Sequence, residues 1–157
     1  MKIRADEHVS VSIVRLVREM ALSPEWELSS VKEEKLDGTA DAHWLTDFCK
    51  NGGEAIISAD KDFHTKHHQI MAIQNTGAKV IYLPPKWQNA SCNLQAAHIL
   101  MWWPRIEKKL KECKKREFWE APWNVSLEGE LVKKGINFHE SVKKIKKQNR
   151  PARQAVG

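Results

Sequence analysis

The chain has no apolar run long enough to cross a bilayer. Its longest, Ile99-Leu100-Met101-Trp102-Trp103, is five residues, against the roughly 20 that a spanning helix needs. The opening Met1-Lys2-Ile3-Arg4-Ala5-Asp6-Glu7 carries charges where an export signal needs an apolar stretch, so no such signal is expected. Cysteine is scarce: Cys49, Cys92 and Cys113 are odd in number, widely spaced and contain no Cys-x-x-Cys pair. That argues against a disulfide framework and suits a reducing, cytoplasmic compartment. Internal repeats and low-complexity linkers are also lacking, so the 157 residues read as one domain able to bury a substantial core.

Charge is present, but unevenly. Residues 1–104 carry 11 Lys/Arg and 13 Asp/Glu, a net of −2, whereas residues 105–157 carry 15 and 7, a net of +8. A basic half joined to an acidic half suits an enzyme that acts on a polyanion, concentrating a nucleic acid near a metal-holding pocket. The seven tryptophans read mostly as core or as a homodimer interface. Trp102-Trp103 beside Arg105, with Trp119 and Trp123, are candidates for stacking on unpaired bases.

The first hundred residues alternate strand-like and helix-like segments, the pattern of a parallel α/β sheet. Strands are expected at Lys2 to Asp6, Trp26 to Val31, Glu54 to Ala59 and Lys79 to Leu83. Helices are expected after a Ser10 cap, from Ala40 to Lys50 behind Thr39, and from Thr65 to Thr76. Ser91 opens a long helix to about Arg116, which Pro104 kinks or divides. Beyond it, Phe118 to Val125 is an edge-strand candidate because Pro122 bars it from a sheet centre. Ser141 to Gln148 reads as a short basic helix and Arg150 to Gly157 as a disordered tail. The expected division is a domain over residues 1–116 and a basic C-terminal extension over 117–157.

Four carboxylates stand out. Asp6 ends the first strand and Asp60 and Asp62 end the third, while Asp41 opens a helix. Ligands of open parallel sheets bind outside the carboxyl ends of the strands, so these acids converge there. Converging carboxylates repel and are stable together mainly around a divalent cation; an all-oxygen set selects Mg²⁺ or Mn²⁺ over zinc. Such a site hydrolyses phosphodiesters by acidifying water and offsetting charge on the leaving oxygen. Lys61, His64, Lys66 and His67, just beyond the acids, are candidate phosphate contacts, as are Lys108 and Lys111 on the long basic helix. One of Glu7 and His8 is expected to join the pocket.

These residues carry a resemblance. Ile3-Arg4-Ala5-Asp6-Glu7-His8-Val9-Ser10 is similar to the strand-to-helix start of short PIN-like domains, a pattern of Asp-Glu-Asn followed by an apolar residue. His8 stands where that pattern has Asn. Ile56-Ile57-Ser58-Ala59-Asp60-Lys61-Asp62-Phe63 resembles the second hallmark, an apolar strand ending in Asp-x-Asp-Phe, and Asp41 matches the middle acid. The resemblance covers roughly residues 1–110. It implies a three-layer α/β/α sandwich around a central parallel sheet, with Asp6, Asp41, Asp60 and Asp62 as metal and catalytic acids. It further implies a Mg²⁺- or Mn²⁺-dependent ribonuclease acting on RNA, of the kind found as VapC-type toxins of type II toxin–antitoxin pairs, with a cognate antitoxin as partner.

Two other readings compete. In a receiver-like phosphoacceptor domain Asp6-Glu7 would hold the metal and Asp60 the phosphoryl group. Its late Lys-Pro is reversed here as Pro84-Pro85-Lys86, and Asp41 and Asp62 go unused. A non-catalytic PIN-like binding module would leave the acid cluster idle and repulsive.

Overall fold

The structure is a computed structural model, and it describes residues 1–149. Four parallel strands, β1 (Lys2–Ala5), β2 (Glu27–Ser30), β3 (Ala55–Ser58) and β4 (Lys79–Tyr82), form where the sequence expects them. Two further strands, β5 (Phe118–Glu120) and β6 (Val132–Lys134), complete one six-stranded sheet in the order β2-β1-β3-β4-β5-β6. Pairing is parallel through β5, and only β6 runs antiparallel.

Helices α1 (Val11–Met20), α2 (Asp41–Lys50), α3 (His67–Thr76), α4 (Pro85–Asn89), α5 (Cys92–Glu112) and α6 (Phe138–Gln148) cover the two faces. Strand β3 shows why. All four of its residues are buried, and alternation sends Ala55 and Ile57 to one cluster and Ile56 to the other. The first cluster packs α1 and α5 through Ile13, Val17, Trp102 and Ile106; the second packs α2 and α3 through Trp44, Phe48 and Ile73. This is the α/β/α layering expected of a PIN-like fold.

Local signals set most boundaries. Ser10 accepts a hydrogen bond from the Ile13 amide and caps α1. Gly77, at φ +76°, ends α3 in the left-handed conformation that suits glycine. Thr39 does not cap α2: Ala40 occupies that position, without a side-chain bond. Helix α5 runs unbroken through Pro104, which lies on its exposed side.

The boundary expected at residue 116 falls inside the sheet, since β5 pairs with β4 along Val80–Phe118 to Tyr82–Glu120. Strand β5 is interior because it stops at Glu120, two residues before the proline that bars longer pairing. The expected disordered tail, Arg150 to Gly157, lies outside the described residues. Among the described residues no helix is long and apolar enough to cross a membrane, and all three cysteines are free.

Candidate active site

In the strand order the chain reverses direction between β1 and β3, the crevice where open α/β sheets bind ligands. Asp6 and Asp60 leave the carboxyl ends of these two neighbouring strands. Both are nearly inaccessible, at 2% and 4% exposure. Backbone pairing fixes the approach, since the Asp6 amide donates to the Ile57 carbonyl at 2.9 Å.

One hydroxyl joins the two acids. Ser58 Oγ donates to Asp6 Oδ2 at 2.5 Å and accepts the Asp60 amide at 3.2 Å. Asp6 Oδ1 accepts the amides of His8 at 3.0 Å and Ala59 at 3.4 Å. Burial nevertheless dominates, and the Asp6 carboxyl is pushed up to about 6 from an ordinary 3.8. Sequence reasoning missed Ser58, although the signal was there: a hydroxyl inside a fully buried apolar strand must find a partner. Ser58→Ala is expected to strand Asp6 Oδ2 and the Asp60 amide at a cost of about 1–3 kcal/mol. Denaturant unfolding measures it, and a loss below about 0.5 kcal/mol would mean that the bridge holds nothing.

Asp60 has different neighbours. Burial works to raise its pKa, but Lys66 Nζ at 2.6 Å from Oδ2, the Asp62 amide at 3.0 Å from Oδ1 and the nearby His8 together hold it below the usual carboxylate value. His8 Nε2 lies 3.9 Å from Asp60 Oδ2, so His8 joins this site while Glu7 faces an adjoining cleft. Asp41 is held by Trp44 Nε1 at 2.9 Å on Oδ1 and by the Gln69 side-chain amide on Oδ2. Asp62 stands exposed on the turn after β3.

The cleft has a volume of about 1170 Å³ and is bordered by Asp41, Lys50, Lys66, His68, Gln69 and Gln148, among others. It runs along α2 and the start of α3, with Lys66, the partner of Asp60, on its wall. Of the candidate phosphate contacts, Lys66 borders it with a half-exposed side chain. Lys61 is exposed, with its carbonyl held by the Tyr82 hydroxyl at 2.7 Å. His64 and His67 serve the scaffold: His64 meets the Tyr82 ring edge-on at 5.3 Å, and His67 Nδ1 lies 3.1 Å from the buried Ser141 hydroxyl of α6. His67 nevertheless also borders the cleft.

Lys108 and Lys111 are not brought to the acids. The C-terminal half of α5 lies at the amino edge of the sheet, where Lys79, the first residue of β4, donates to the Leu110 carbonyl at 2.6 Å. There Lys111 Nζ sits 5.7 Å above the Trp26 ring and Lys109 Nζ 4.0 Å above Trp119. A helix that starts beyond the carboxyl end of β4 and returns to start β5 must carry its last turns to the opposite edge. Trp102 and Trp103 are fully buried, so neither can stack on a base.

Among the described residues, no group of three or more His, Cys, Asp or Glu side chains is placed to hold a metal ion. Every carboxylate oxygen of Asp6, Asp41 and Asp60 has a protein donor. Yet the cluster does take a positive charge. The Lys66 ammonium stands against Asp60, and the charges of Asp41 and Asp62 also act on it. Asp6 and Asp60 offer only hard oxygen donors, the class that a divalent cation such as Mg²⁺ or Mn²⁺ takes.

Comparison with known proteins adds one family. A family model described as a PIN like domain matches residues 1–85. The chain belongs to the PIN-like domain family. The matched segment runs from β1 through β4 and includes Asp6, Asp41, Asp60 and Asp62. No curated protein and no solved structure matches the chain. Domains of this family are generally nucleases, and the fold here is of that type.

Proposed function

We propose that this PIN-like domain is an endoribonuclease that hydrolyses RNA phosphodiester bonds at the carboxyl edge of its sheet. What supports this most is the pair Asp6 and Asp60, carried on adjacent strands at the switch point, bridged by Ser58 and linked through Lys66 to the cleft, which neither acid itself lines. Asp6 and Asp60 would hold Mg²⁺ or Mn²⁺, with Asp41 and Asp62 at the rim. Bound there, the ion supplies Lewis acidity toward a phosphate oxygen and toward water. The chain itself orients the acids: Ser58 and two backbone amides fix Asp6, and the Asp62 amide fixes Asp60. Lys66 and Lys50, at the cleft wall, neutralise the phosphates of a bound strand.

The experiment is incubation of a mixed RNA and single-stranded DNA panel with Mg²⁺, Mn²⁺ or EDTA. Cutting of RNA that EDTA stops is the expected result, and a well-folded protein that cuts nothing would contradict the proposal. The finer reading, the toxin of a type II pair restrained by a cognate antitoxin, rests on the family resemblance. Growth arrest on expression, relieved by the product of an adjacent gene, tests it.

A non-catalytic PIN-like binding module is the second reading, favoured by the engagement of every oxygen of Asp6, Asp41 and Asp60 with protein donors. That module would bind nucleic acid or protein; the ribonuclease and the nucleic-acid module both place RNA near the cleft, and the basic groups differ in their expected part. Lys143, Lys146 and Lys147 are exposed on α6, the helix whose last residue borders the cleft. Neutralising these three should weaken RNA binding and lower the salt slope by about 2, given about 0.7 per phosphate on single strands. Lys108→Ala with Lys111→Ala should leave the slope unchanged. The reverse pattern in a salt titration would put the RNA at the amino edge.

A further inference from the structure

Asp60 is almost wholly buried, yet its partner is not: the Lys66 side chain is about half exposed, at 48%, with its Nζ 2.6 Å from Asp60 Oδ2. Lys66 sits at the N-cap position of α3, behind the single 3₁₀ turn Phe63–Thr65, and its side chain makes no cap bond. Its long stem can therefore swing into the cleft that it already borders. Asp41 and Asp62 also act on its charge.

We infer that Lys66 is a built-in counter-cation that occupies the divalent-ion position beside Asp60 and must be displaced into the cleft before a metal ion binds. The inference rests on the proposed cation site but not on RNA as substrate. An ammonium 2.6 Å from Asp60 Oδ2 and a dication on the same carboxylate repel strongly, so binding of the ion and the Lys66–Asp60 contact oppose each other. The contact keeps the acid cluster compensated when no metal is present. It also weakens the apparent metal affinity by whatever the half-exposed ion pair contributes, up to about fivefold.

Lys66→Met keeps the stem and removes the charge. Mn²⁺ binding, followed by the electron spin resonance signal of the free ion and without RNA, should be up to about fivefold tighter in Lys66→Met than in wild type. In EDTA the variant should melt below wild type, and Mn²⁺ should raise its melting temperature more. Lys66→Met that binds Mn²⁺ no more tightly than wild type would overturn the inference. If both bind alike and Asp60→Asn abolishes binding, the cation site stands and only the exchange falls. If neither binds, the site falls too.

The wild-type protein offers a test that needs no variant. Saturating Mg²⁺ should speed acetylation of Lys66, mapped by mass spectrometry, severalfold over the exposed reference Lys108. Equal acceleration of both, or of neither, would overturn the exchange.

Discussion

Asp60→Asn is expected to reduce RNA cleavage more than about 100-fold, because removing one anionic ligand from a metal centre forfeits several kcal/mol of transition-state stabilisation. The fold should survive. The side-chain carbonyl of the substituted residue can still accept the Asp62 amide, and what is lost is the ion pair to a half-exposed lysine and the weaker attraction of His8. Pairs of that kind contribute about 1 kcal/mol or less, which for a chain of this size is about 2–4 °C in melting temperature. The Ser58 bridge to Asp6 accepts the Asp60 main-chain amide, not its side chain, and stays in place. Initial rates on a cleaved RNA, measured beside a thermal melt, separate the two effects. Retained cleavage in a well-folded Asp60→Asn would sink the site, whereas loss of both fold and activity would give Asp60 a structural role.

The second large effect concerns Asp6 and runs against the usual behaviour of a carboxylate. Its pKa in the fold, about 6, lies above its ordinary 3.8, chiefly through burial. The folded state therefore binds the proton more tightly than the unfolded chain does. Stability from this group is greatest below about pH 4, falls as the pH rises through about 6, and stays low above it. Asp6→Asn removes the charge and keeps the shape. The amide oxygen can accept the His8 and Ala59 amides that now meet Oδ1, and its nitrogen can donate to Ser58 Oγ. In EDTA at pH 7.5 the variant should be more stable than wild type by about 2 kcal/mol, or roughly 4–8 °C. Its advantage should vanish near pH 4. Mn²⁺ should narrow the difference by stabilising wild type alone. Melting curves across that pH range check this, and equal stability of the two proteins at pH 7.5 would mean that Asp6 is not desolvated.

Much of this arrangement is legible in the sequence. The β1 and β3 strands are short apolar runs that end in acids, and the parallel topology turns two distant acids into neighbours. Asp41 was legible as a residue in the first turn of a helix, but its tie to Gln69 was not, because that bond joins two separate helices at one point in space. Lys108 and Lys111 show the opposite failure. Composition marked them as the basic half of a polyanion site, but composition does not say at which end of a helix a charge lies. The direction of α5, from the carboxyl edge back to the amino edge, takes them away from the acids. Strand β6 escaped notice because Val132-Lys133-Lys134 is too short and too charged to signal a strand. It forms because β5 offers an open edge, and Lys133 and Lys134 pair there with Glu117 and Glu120.

The central claim is that Asp6 and Asp60 together hold a divalent ion. Diffraction from crystals soaked in Mn²⁺, with anomalous maps, tests it most directly. One strong peak is expected between these two carboxylates, with the Lys66 ammonium moved off Asp60 into the cleft. A peak elsewhere, or none beside Asp60 in crystals that take up the ion, would contradict it.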